Sequence, residues 1–125
     1  MTMKPIKPLI PTESQEQIAV IKWADAQPEI CGRLMSIPNG ANKSPAAAAK
    51  FKREGLRPGV PDLFLPIARQ GFYGLWIEIK RIKGGKLSDV QTDWINYLRY
   101  ENYAAYCREG ADEAILTIKD YMGWP

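Results

Sequence analysis

The stretch GVPDLFLPIARQGFYGLWIEIK, residues 59–80, decides the fold. Leu63 to Ile67 is a short apolar run with the length of a buried strand. Phe72 to Lys80 alternates and is rich in aromatic and branched residues, so it reads as a second strand. Gly71 marks a turn between them, and the two strands can pair as a hairpin. Side chains on a strand alternate between faces. Glu78 and Lys80 therefore share one face, and Ile77 and Ile79 turn to the other, into a core. Asp62 stands at the start of the preceding strand, after Pro61. Antiparallel pairing would bring Asp62 to the same end of the sheet as Glu78 and Lys80.

Helical patterns flank this hairpin on both sides. Before it, a helix is expected over 12–27, capped by Thr12 or Ser14 with Gln15 or Gln17 three residues on, and ended by Pro28. Arg33 to Ile37 is a short first strand, stopped by the turn Pro38-Asn39-Gly40. Ser44 at the N-cap, Pro45, four alanines and Gly55 just past the end define a second helix. After the hairpin, Gly84-Gly85 is a loop tip, and Ser88 with Gln91 opens a helix running to about Glu101. Its expected apolar stripe is Val90, Trp94, Tyr97 and Leu98. Tyr103 to Cys107 is a fourth strand. Ala111 to Tyr121 is a last helix, with Ala114, Ile115 and Ile118 inward. The order predicts one α/β domain over 12–125, with a mixed central sheet flanked by helices. Residues 1–11, broken by Pro5, Pro8 and Pro11, form a flexible lead-in. Trp23, Trp76 and Trp94 fall in apolar patterns and are expected in the core. Trp124 fits either a dimer interface or the cover of an edge.

Composition narrows the chemistry. The chain has 125 residues, 46% of them hydrophobic, enough for one core. There is no histidine. Imidazole-based zinc sites and Ser-His-Asp or Cys-His hydrolases are thereby excluded. Catalysis must come from carboxylates, amides, lysines and an oxygen-loving cation. The two cysteines, Cys31 and Cys107, match no metal-site spacing and read as reduced thiols in a cytoplasm. No apolar run reaches the ~20 residues of a membrane span.

Charge is unevenly spread. Between Lys43 and Lys86 there are ten basic and three acidic residues, a net +7, in a chain whose total is +3. A basic middle suits a polyanion. Lys43, Lys50, Lys52, Arg53 and Arg57 precede the hairpin's acids, and Lys83 and Lys86 follow them. Together they are candidate phosphate contacts, against the plainer reading of a solvated face.

Asp62, Glu78 and Lys80 are what phosphodiester hydrolysis asks for. Such a site uses a metal ion to polarise the phosphate and activate water. Mg²⁺ or Mn²⁺ would take oxygen ligands from Asp62, Glu78 and a nearby backbone carbonyl such as that of Ile79. Lys80 would hold the attacking water or neutralise charge in the transition state.

Asp62 followed by Glu78-Ile79-Lys80 resembles the PD-(D/E)XK nuclease motif. Ile37-Pro38-Asn39-Gly40, Gly59-Val60-Pro61-Asp62-Leu63, and Leu87-Ser88 with Gln91 and Trp94 extend the resemblance to the VRR-NUC family, over about 12–120. The resemblance implies a restriction-endonuclease-like fold, metal-dependent DNA cleavage and kinship with Holliday-junction resolvases. It also implies a homodimer of phage or bacterial type acting on branched DNA. It places an acid on the first helix near the metal, for which Glu13 is favoured over Glu16. It gives Gln91 a role at the metal's water or the phosphate, beside its plainer role in the cap. The rival expectation is a DNA-binding module that kept the fold and lost catalysis. An RNA-binding module finds no RNP-like aromatic signature in the chain.

Overall fold

The computed structural model describes residues 9–38 and 44–125. Lys43 and the Asn39-Gly40 turn lie outside the described residues, as do residues 1–8 of the expected lead-in. The elements are α1 (Glu13–Asp25), β1 (Met35–Ser36), α2 (Pro45–Arg53), β2 (Leu63–Leu65), β3 (Leu75–Lys80), α3 (Asp89–Tyr100), β4 (Ala104–Glu109) and α4 (Gly110–Met122). The four strands form one mixed sheet in the order β1-β2-β3-β4. The expected hairpin is present, with β2 antiparallel to β3 and Leu63 opposite Ile77. β4 runs parallel to β3, pairing Glu78 with Cys107 and Ile79 with Arg108. An α3 crossover makes that parallel return possible.

The strands are shorter at their outer ends than alternation predicts. β1 keeps two residues of the expected five, and both are exposed. Phe72 bonds back to Arg69 in a local turn before β3 begins. Three of the helix starts follow their capping residues. Thr12 and Ser88 each make a reciprocal capping box, with Gln15 and Gln91, and Ser44 caps α2 ahead of Pro45. Each such cap contributes about 1 kcal/mol.

The sheet is covered on two faces. Leu75, Ile77 and Ile79 of β3 join Leu63 and Leu65 of β2, Val20 and Ala24 of α1, and Ala114 and Ile118 of α4 in the main core. Each large aliphatic buried there stabilises the fold by about 1.5–3 kcal/mol. Trp76 and Ala105 face the other way, against Ile95 and Leu98 of α3. This corrects the expected stripe of α3. Val90 and Tyr97 are each about half exposed, and Ile95 takes the inward position. On α4, Ala114 and Ile118 are inward as expected, with Thr117, Tyr121 and Met122 also buried and Ile115 only half-buried. α2 buries no residue fully. Trp124 packs edge-on against Trp23 of its own chain, with ring centroids 6.3 Å apart. No helix among the described residues is long and apolar enough to cross a membrane.

Candidate active site

β3 carries Glu78 and Lys80 on the face that also holds Trp76, as strand alternation requires. Both are buried: Glu78 is 3% exposed and Lys80 8%. Asp62 precedes β2 and reaches across to β3, where its Oδ2 accepts the N–H of Ile79 at 2.9 Å. That bond brings its carboxyl against Glu78. Burial, then the hydrogen bond and charge of Asp62, push the Glu78 carboxyl up from 4.5 to about 9, with Lys80 pulling the other way and Glu13 adding to the rise. Two carboxyls this close in a dry site cannot both ionise cheaply without a cation.

The first helix offers two acids, and they have different surroundings. Glu13 Oε1 lies 3.9 Å from Lys80 Nζ and is part of the cluster. Glu16 is buried, and its Oε2 accepts the N–H of Ala111 at 3.1 Å. The α4 N-cap residue, Glu109, makes no side-chain cap of its own. Glu16 therefore serves as that cap from another helix, a favourable place for a carboxylate. Gly110 at this junction has φ +81°, which favours glycine, and a Cβ there would lie 2.5 Å from Glu16 Oε2 and disturb its bond to Ala111.

The loop leading to Asp62 is held by α3. Trp94 Nε1 donates to the carbonyl of Pro58 at 3.1 Å. Gly59, at φ +88°, lies directly on Val90, where a Cβ would come within 2.4 Å of Val90 Cγ1. Pro61 is fully buried. Sequence reasoning placed Trp94 in the core and did not foresee this clamp. The juxtaposition of a glycine and two prolines was its only signal. Gln91 spends its side-chain oxygen on the N–H of Ser88 at 2.9 Å, in the cap. For Ile79, the described contact is through its N–H.

Lys50, Lys52, Arg53, Arg57, Lys83 and Lys86 are all exposed. Lys50 lies 3.9 Å from Glu54, but both are more than half exposed, so the pair contributes little. These cations are free to meet a polyanion.

The donor set is all oxygen, with Asp62 and Glu78 adjacent and Lys80 beside them. Such a set favours a hard cation of the Mg²⁺ or Mn²⁺ type. Among the described residues no three His, Cys, Asp or Glu side chains converge on one point. A cation held here would take its side-chain oxygens from two carboxylates, Asp62 and Glu78.

A family model of the VRR-NUC domain matches residues 11–112. The chain belongs to the VRR-NUC family. The match begins at the first-helix cap and ends at the start of α4, so it takes in every residue of the acidic cluster. A solved structure named as a VRR_NUC domain protein superposes with a TM-score of 0.81, at 32% identity over 92% of this chain and 91% of that one. Comparison with curated proteins found no match. The VRR-NUC assignment makes this a nuclease-type domain with a DNA-related function, on an α/β fold with a mixed four-stranded sheet.

Proposed function

We propose that the chain is a metal-dependent endodeoxyribonuclease that hydrolyses phosphodiester bonds in branched DNA, such as a four-way junction or a flap. The observation that carries this reading is the hydrogen-bonded Asp62–Glu78 pair with Lys80 on the same face. A bound Mg²⁺ or Mn²⁺ would supply Lewis acidity at the phosphate and make water a stronger nucleophile.

The chain's own residues do the rest. Asp62, fixed by the Ile79 N–H, and Glu78 would hold the cation through their carboxylate oxygens, and Glu78 would give up its proton to do so. The carbonyl of Ile79 is the candidate backbone ligand. Lys80 donates to the attacking water or to the phosphate oxygen on which charge builds as the P–O bond breaks. Low exposure strengthens that interaction. Glu13, 3.9 Å away, orients the Lys80 ammonium. Gln91, at the first turn of α3, is a candidate phosphate contact through the amide nitrogen that the cap does not use.

The exposed cations of α2 and of the loop after β3 would position the DNA backbone without reading bases. A homodimer would supply two such sites for paired cuts across a junction, in bacterial or phage DNA repair. Two free thiols, Cys31 and Cys107, fit a reducing cytoplasm. The test is a cleavage panel of linear duplex, fork, flap and four-way junction, each with Mg²⁺, with Mn²⁺ and with excess chelator. Cleavage that needs the metal and favours a branched substrate supports the reading. Full turnover in chelator overturns it.

A further inference from the structure

Among the described residues β4 is an edge strand of the sheet, and two arginines meet on it. Arg99, on the last turn of α3, donates through Nε to the carbonyl of Ala105 at 2.8 Å. Arg108, on β4 itself, donates through Nε to Thr117 Oγ1 at 2.7 Å and through a terminal nitrogen to the carbonyl of Cys107 at 3.0 Å. Both guanidinium groups lie against the ring of Tyr106, at 4.5 Å for Arg108 and 5.6 Å for Arg99. Two like charges are thus held around one aromatic ring.

Covering edge carbonyls protects a strand from unwanted pairing. That role needs one donor per carbonyl. A guanidinium has five, so Arg99 keeps both terminal amino groups and Arg108 keeps one. Neither arginine takes part in an ion pair among the described residues, where the cations within 4 Å of a carboxylate are Lys50, Arg69 and Lys80. Seven of the chain's 14 acids lie after residue 86, so carboxylates are at hand in sequence and are not used. A preorganised, unpaired pair of forks of this kind matches phosphate oxygens.

Place adds to chemistry. Arg108 stands opposite Ile79 in the ladder, one strand from the Asp62–Glu78 pair, with its side chain turned to the α4 side of the sheet's edge, where it meets Thr117. The carbonyls of Ala105 and Cys107 are two residues apart, about 6.6 Å along the strand, a spacing that suits neighbouring phosphates of one DNA strand. The basic α2 lies at the other side, where Phe51 and Leu56 share a cavity with Ile37 and Val60. We propose that Arg99 and Arg108, gathered around Tyr106 on the edge of β4, form a second phosphodiester-binding site that holds a DNA strand across the sheet from α2. This rests on the nuclease reading above and sharpens it. Backbone contacts on both edges, with the carboxylates between, favour a substrate that is branched or bent.

The test is binding affinity against salt for a four-way junction and a linear duplex, in chelator, using wild type, the double variant Arg99→Gln with Arg108→Gln, and the double variant Arg99→Lys with Arg108→Lys. The glutamine pair should lower the salt slope on the junction by about two units. The lysine pair, which keeps both charges, should restore it. Coincident slopes, or a loss that lysine does not restore, overturn the site. Should the glutamine pair not fold, phenylglyoxal labelling of wild type read by mass spectrometry decides: the junction should protect Arg99, and equal labelling with and without it overturns the site. Metal-dependent cleavage by wild type, measured alongside, separates the two ideas. Cleavage with coincident slopes removes this site alone, and the expected slopes without any cleavage remove the nuclease reading alone.

Discussion

Asp62 accepts the backbone N–H of Ile79, and by that one bond its carboxyl is set beside the carboxyl of the preceding residue, Glu78. The strand backbone thus does two jobs at once. It displays Glu78 on its face and recruits Asp62 from the neighbouring strand. The result is a buried acid pair whose balance depends on protons and on cations.

The pH dependence of stability follows. The fold raises the Glu78 carboxyl from 4.5 to about 9. Between those values the folded chain holds a proton that the unfolded chain has lost, so stability falls as pH rises. The contribution is complete below the unfolded value and is lost as pH climbs through the folded one. In chelator, the melting temperature should decline from about pH 5 to about pH 8. Glu78→Gln should melt higher than wild type at the alkaline end and show a flatter profile. Parallel profiles would show that Glu78 does not carry the effect.

Metal binding should release a proton. Titrating Mn²⁺ into wild type near neutral pH, in buffers of different ionisation enthalpy, should report about one proton freed per ion. Glu78→Gln should bind more weakly and free none. Asp62→Asn should also weaken binding, and both variants should abolish cleavage. Lys80→Ala should keep the ion and lose about 10²–10³-fold in rate.

The two acids of α1 should separate by assay. Glu13→Gln removes the partner of Lys80 and should slow cleavage more than Glu16→Gln, with little effect on melting. Glu16→Gln keeps an oxygen to accept the Ala111 N–H but removes the negative charge from the start of α4, and should cost about 0.5–2 kcal/mol of stability. Matched rates at one Mg²⁺ concentration and denaturant unfolding check the pair.

The loop clamp is open to the same treatment. Gly59→Ala places a methyl into Val90 at a positive φ and should cost about 2–4 kcal/mol. Trp94→Phe keeps the ring and loses the bond to the carbonyl of Pro58. It should lower Mn²⁺ affinity and cleavage while the melting temperature moves by only a few degrees, as calorimetry and thermal melts would show.

For the basic helix, Lys50→Ala with Arg53→Ala should weaken DNA binding about equally on two unrelated duplexes and reduce the salt slope by about two units. Rate at saturating DNA should change far less than for Asp62→Asn. Equal slopes would mark these cations as a solvated face.

Much of this was legible in the chain because it rests on local rules. Alternation alone put Glu78 and Lys80 on one face, and Thr12, Ser44 and Ser88 announced their helices. The alternatives left open were decided by long-range packing. Glu13 and Glu16 sit within one turn, and only the position of α4 tells them apart. The inward face of α3 was misread at Val90 and Tyr97 because the contact of Gly59 with Val90 helps fix the rotation of that helix. Alternation concerns side chains, so it was silent on the N–H that holds Asp62.

The contact between Glu16 and Ala111 joins residues 95 positions apart. Its consequence is one of timing. α1 is synthesised before α4, so the bond between them cannot form until Ala111 has left the ribosome. Glu13 rides on that same helix, so the placement of α1 that sets it beside Lys80 is complete only once α4 has docked. A nascent chain can form the β2–β3 hairpin and the clamp of α3 on its loop while the acid cluster is still incomplete.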